Sequence, residues 1–124
     1  LAGEIDQFLF SAKTVGGVKV LTANRGGMDA NALRRMGDFL RDREPAIVAV
    51  LSAVSGDKVT LLAVCGRDAV AKGIKAGDII KTIAPIVGGR GGGKPDSAMG
   101  GGTDVNKVDD ALAAVDDFVA SKLQ

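Results

Sequence analysis

Eight of the fifteen residues from Gly88 to Gly102 are glycine, in the order Gly-Gly-Arg-Gly-Gly-Gly-Lys-Pro-Asp-Ser-Ala-Met-Gly-Gly-Gly. Glycine loses more conformational freedom on folding than any other residue, so clustering it costs stability. Such a run persists in a compact domain where backbone must come very close to something: a ligand, a phosphate or a neighbouring helix. Arg90 and Lys94 stand inside the run, and the helix that follows is expected to start near Thr103. Exposed backbone N–H groups, two cations and a helix N-terminus together suit an anion cradle. The competing reading is a flexible linker. The non-repetitive interruption from Lys94 to Met99 argues for ordered structure instead.

The chain has 124 residues, the length of one domain with a core that needs no staples. Its single cysteine, Cys65, lies in an apolar stretch. It reads as a small buried hydrophobe and argues against a disulfide-built secreted domain. No signal peptide and no apolar run of membrane-spanning length is present, so the expected compartment is the cytoplasm. Leucine at position 1 reads as a piece of a longer chain. The net charge of +1 hides an asymmetry. Residues 13–94 carry fourteen Lys/Arg against seven Asp/Glu, a net +7, whereas residues 95–124 carry two against six, a net −4. A basic body with an acidic last helix fits a polyanionic partner on one face, or an ordinary solvated surface. Histidine is absent, which removes the usual general base, the His-containing triads and most metal sites. Tyrosine and tryptophan are absent too, so a stacking platform for single-stranded nucleic acid is not expected. No catalytic residue, metal ligand or cofactor site is assigned.

Periodicity outlines the architecture. Residues 1–13 read as the end of a helix, with Ile5, Phe8 and Leu9 on one side, broken by Gly16-Gly17. Val18–Asn24 alternates as a strand. Asp29 is placed to cap a helix running to about Arg43, with Leu33, Met36, Phe39 and Leu40 inward and Arg34 and Arg41 on an outer stripe. Two continuously apolar runs, Ala46–Val54 and Val59–Cys65, flank Gly56-Asp57, the signal of a two-residue hairpin between well-covered strands. Asp68–Lys72 and Ala76–Val87 are helical in composition, with Pro85 in the last turn. Val105, Val108, Leu112, Val115 and Val119 step by three and four along a closing amphipathic helix. The expected fold is α/β: a small mixed sheet of three strands or slightly more, helices packed on it, and a glycine-rich loop over 88–102 before the C-terminal helix.

Three segments carry a family resemblance: Lys72-Gly73-Ile74-Lys75-Ala76-Gly77-Asp78, Gly88–Asp96, and Ala98 with Gly100-Gly101-Gly102. Together they resemble the C-terminal domains of alanyl-tRNA synthetases, members of the DHH-associated family that also supplies the second domain of DHH-type phosphoesterases. The resemblance covers nearly the whole chain, and Gly-Gly-Gly-Lys-Pro-Asp is its specific part. Phosphoesterases of this kind usually place histidine after the glycines. Lys94 stands there, which favours the synthetase branch. Ser97-Ala98-Met99 departs from that branch, where methionine, alanine and glutamine are usual.

The resemblance implies a non-catalytic fragment of a ligase. Residues 1–13 would end a helical arm, and 14–124 would form the globular domain. The domain would grip the elbow of an alanine-specific tRNA and bridge the aminoacylation and editing domains of the same chain, with a homodimer through the arm as a further partner and no membrane. RNA duplexes are recognised by shape, 2′-OH and phosphate contacts, which call for cations and close backbone approach rather than aromatic rings. The candidate RNA-binding residues are Arg25, Lys72, Lys75, Arg90, Gly91, Gly92, Gly93, Lys94 and Asp96. Pro95 and Asp96 equally suit a purely turn-shaping role, and Arg25 a solvated turn. The alternatives for the domain are a phosphate- or nucleotide-binding half of a phosphoesterase and an oligomerisation module.

Overall fold

The computed structural model describes residues 2–123. A six-stranded sheet in the order β1-β2-β3-β4-β6-β5 forms its centre. The strands are β1 (Lys13–Val15), β2 (Val18–Asn24), β3 (Ile47–Ser55), β4 (Lys58–Cys65), β5 (Arg90–Gly93) and β6 (Ser97–Gly102). The helices are α1 (Ala2–Ser11), α2 (Ala30–Arg43), α3 (Arg67–Ala71), α4 (Ala76–Ile83) and α5 (Val108–Lys122). Only β2 and β3 pair in parallel, and α2 makes the crossover between them. The other neighbours are antiparallel. Gly56, at φ 62°, opens the tight turn that sets Ser55 opposite Lys58.

The two long apolar strands are central, which is why their sequence does not alternate. Val48, Val50, Leu61, Ala63 and Cys65 face a core closed by Ile79, Ile80, Ile83, Val115 and Val119 of α4 and α5. Ala49, Leu51, Leu62 and Val64 face Leu33, Met36 and Leu40 of α2. Helix α2 starts as its sequence predicts, with the Asp29 carboxylate accepting from Ala32 N–H at 2.8 Å. Helix α1 is tied to α2 by Arg43, which donates to Asp6. Of the expected stripe on α1, the Ile5 and Phe8 side chains lie outside the described residues, and Leu9 packs half-buried against the α2 core.

Four expectations need correction. The glycine run is not a loop: most of it forms the antiparallel pair β5–β6, which raises the strand number well above three. Lys13 belongs to β1 rather than to the first helix. The last helix begins at Val108, after a 3-10 turn over Val105–Lys107. Phe39 is 48% exposed rather than inward. Gly37 takes the innermost position, where a Cβ would stand 2.7 Å from Leu62 Cδ2, and this rotation of α2 carries Phe39 to the rim.

Candidate nucleic-acid interface

Strand β5 pairs through Arg90–Gly101, Gly91–Gly100, Gly92–Met99 and Gly93–Ala98. Helix α4 lies directly on this bare backbone. A Cβ at Gly100 would stand 2.7 Å from Ile80 Cγ2, and one at Gly91 would meet the same methyl group at 2.7 Å and overlap Gly100 Cα. From the helix side, a Cβ at Gly77 would come 2.7 Å from the carbonyl oxygen of Gly93. Gly92 differs: nothing lies nearer to its Cβ position than Lys81 Cε at 3.5 Å. Close approach of the paired strand and of helix α4 accounts for Gly91 and Gly100. Gly93 takes φ 158°, a value that L side chains rarely adopt, and a Cβ there would stand 2.7 Å from Ala98 Cα.

The turn between the strands is anchored on three sides. The N–H groups of Ala76 and Gly77, the first of α4, donate to Pro95 O at 2.8 Å and Lys94 O at 3.2 Å. Cys65 N–H donates to Asp96 O at 3.1 Å. The turn carbonyls thus cap α4, which otherwise has no side-chain cap. The Asp96 carboxylate lies 3.6 Å from Arg41 Nη1, while Asp38 also holds Arg41 at 3.2 Å. Arg41 is thereby drawn into an ion-pair cluster instead of standing on a solvated stripe. Between β6 and the last helix, Thr103 and Asp104 N–H both donate to Val87 O, so these two groups are satisfied within the chain.

The structure sorts the predicted residues by place. Arg90, Gly91, Gly92, Gly93 and Lys94 run along the sheet edge, with Asp96 in the turn. Lys75 immediately precedes α4, beside that turn. Lys72 points elsewhere, its Nζ 3.4 Å from the Cβ position of Gly17 in the β1–β2 turn. Arg25 follows β2, four strand spacings from β5, or about 19 Å at about 4.8 Å per spacing. Lys81 was missed and belongs with the edge group. Its sequence signal is its place four residues after Gly77, on the stripe of α4 that meets the hairpin. Arg34 is exposed, as its place on the outer stripe of α2 implies, and its Nη2 donates to Met99 Sδ of β6 at 3.4 Å. Among the described residues, Lys75, Lys81, Arg90 and Lys94 are all exposed and make no ion pair.

Two open clefts adjoin the hairpin. One, of about 310 Å³, is lined by Arg41, Asp42, Pro45, Cys65, Arg67 and Asp96. The thiol in it is poorly nucleophilic, since burial and then the Asp96 charge push its pKa up to about 12. The other, of about 570 Å³, has Gly100–Gly102 as one wall, with Lys58 and Thr60 alongside. No cluster of metal-ligating side chains occurs among the described residues, and no described helix is long and apolar enough to cross a membrane.

The DHHA1 domain family model matches residues 17–121. The chain belongs to the DHHA1 domain family. As a DHHA1 domain it is 46% identical over 118 residues to the alanine–tRNA ligase of Thiobacillus denitrificans, covering 95% of the chain and 13% of the ligase. It is 46% identical over 121 residues to that of Polynucleobacter asymbioticus, covering 98% of the chain and 14% of the ligase. It therefore spans about one seventh of the length of these relatives. The C-Ala domain of Aquifex aeolicus alanyl-tRNA synthetase superposes with a TM-score of 0.82 at 23% identity, over 89% of this chain and 98% of that one. A DHH-domain protein described as a member of a family of ribosomal proteins superposes with a TM-score of 0.58 at 16% identity, over 95% of this chain and 30% of that one. The α/β fold and the resemblance to synthetase C-terminal domains both hold.

Proposed function

We propose that this DHHA1 domain binds tRNA for an alanine–tRNA ligase, holding the elbow of the L-shaped molecule and linking aminoacylation to editing. The observation that carries this reading is the β5 edge: a strand of bare backbone with Lys75, Lys81, Arg90 and Lys94 around it, none held in an ion pair among the described residues. Unpaired cations are available to phosphates, and the lack of side chains lets a bulky duplex approach closely. The ligase relatives give the partner its identity, and such a ligase works in the cytoplasm. Arg25 and Lys72 stand apart and would touch only a ligand that wraps the domain. Self-association through α1, where Phe10 is 95% exposed, belongs to the same reading and is tested by solution mass.

Titration with tRNA at two salt concentrations tests the proposal. Log affinity falls with log salt by roughly 0.7 to 0.9 per phosphate neutralised. Alanine at Arg90 or Lys94 lowers affinity modestly and reduces that slope by about one. A stem–loop lacking the elbow binds more weakly than whole tRNA. Binding that ignores salt and both substitutions overturns the reading.

A further inference from the structure

We propose that the open edge of β5 recognises ribose, binding an RNA strand through its 2′-hydroxyl groups as well as its phosphates. This rests on the tRNA reading and specifies what the edge would select. Strand β5 pairs with β6 alone and closes the sheet. An edge strand turns both N–H and C=O groups outward. The Gly93 carbonyl lies against Gly77 of α4, so the open part of the row is centred on Gly91, which is exposed. Within β5 itself only Arg90 carries a side chain; Ile80 lies under Gly91, Lys81 Cε stands 3.5 Å from the Gly92 Cβ position, and Arg90, Lys81 and Lys94 border the row.

The chemistry of that row decides among polyanions. The cations and N–H groups suit phosphate. Outward carbonyls do not, because phosphate oxygens only accept and would face them unpaired. A 2′-hydroxyl donates and accepts, so it answers both kinds of group, and it is the feature that separates RNA from DNA at a given site. Charge complementarity brings the strand to the edge, and the mixed row favours ribose once it is there.

Whole tRNA is compared with the same transcript carrying 2′-fluoro pyrimidines, which keeps A-form shape and phosphate charge but removes the hydroxyl donor. A DNA copy would change shape as well. The fluoro transcript binds roughly threefold to tenfold more weakly, the worth of one or two hydrogen bonds, with an unchanged salt slope. Gly92→Val, at the open position, shields the row and brings the two affinities together; a thermal melt checks that it folds. Equal affinities in the parent protein, a changed salt slope for the fluoro transcript, or a difference that survives in Gly92→Val each overturn the assignment while leaving tRNA binding intact. Failure of both transcripts to bind overturns the tRNA reading itself.

Discussion

Two neighbouring glycines on one short strand differ in what an added methyl group would meet. At Gly91 the methyl would overlap Gly100 Cα across the hairpin and press on Ile80; at Gly92 it would meet only the movable end of Lys81, 3.5 Å away. Gly91→Ala should therefore cost about 1–3 kcal/mol or more through overpacking against backbone that cannot retreat. Gly92→Ala should be nearly neutral. Paired denaturant titrations measure both, and equal costs would mean that α4 does not seat on the hairpin. Cys65 supplies a second residue-scale prediction. Fully buried, with its thiol pushed up to about 12, it should resist a thiol reagent in the native state at neutral pH and react fully in denaturant. Its burial was legible because its neighbours are apolar. The different roles of Gly91 and Gly92 were not, since the sequence shows identical residues and only the packing of α4 tells them apart.

Among elements, what the sequence concealed was pairing between non-consecutive strands. Helical periodicity revealed α2 and α5, and the Gly-Asp turn revealed β3–β4, because those signals are local. Strand β6 fits between β4 and β5, a long-range choice, and without side chains Gly100-Gly101-Gly102 carries no alternation to announce a strand. One junction between elements is electrostatic. Lys19 of β2 lies 2.7 Å from Glu44 at the end of α2, and Ala46 N–H donates to the same carboxylate at 3.2 Å. The Lys19 bond first, then the Ala46 bond, holds the Glu44 pKa below its ordinary 4.5. A depressed carboxyl pKa stabilises the fold above the unfolded value, and this contribution is lost as pH falls through the folded value. Glu44→Gln should thus lower stability at pH 7, with the gap to the parent closing as pH falls below 4.5. Denaturant midpoints across that range give the answer, and a gap independent of pH would assign the loss to packing.

At the scale of the molecule, charge is sorted across the sheet. The basic edge is β5, whereas α5 packs against β2 and α4 and exposes Asp109, Asp110 and Asp117. The linear sequence displayed the two signs, +7 over residues 13–94 and −4 after them. It could not display which cations gather, because Lys75, Lys81, Arg90 and Lys94 meet only once α4 lies on the hairpin. On α5, Asp116 is paired with Lys13 at 3.1 Å and Asp110 with Lys107 at 3.6 Å. Asp109 and Asp117 are therefore the aspartates whose charge acts most fully at a distance. A polyanion approaching β5 feels their repulsion without touching them. Changing Asp109 and Asp117 together to asparagine should raise tRNA affinity several-fold at low salt, where the Debye length is about 30 Å near 0.01 M. The gain should largely vanish near 0.15 M, where that length is about 8 Å. Affinity measured at both ionic strengths separates this long-range field from contact. A gain that persists undiminished at the higher salt would bring α5 into the interface and move the tRNA off the β5 edge.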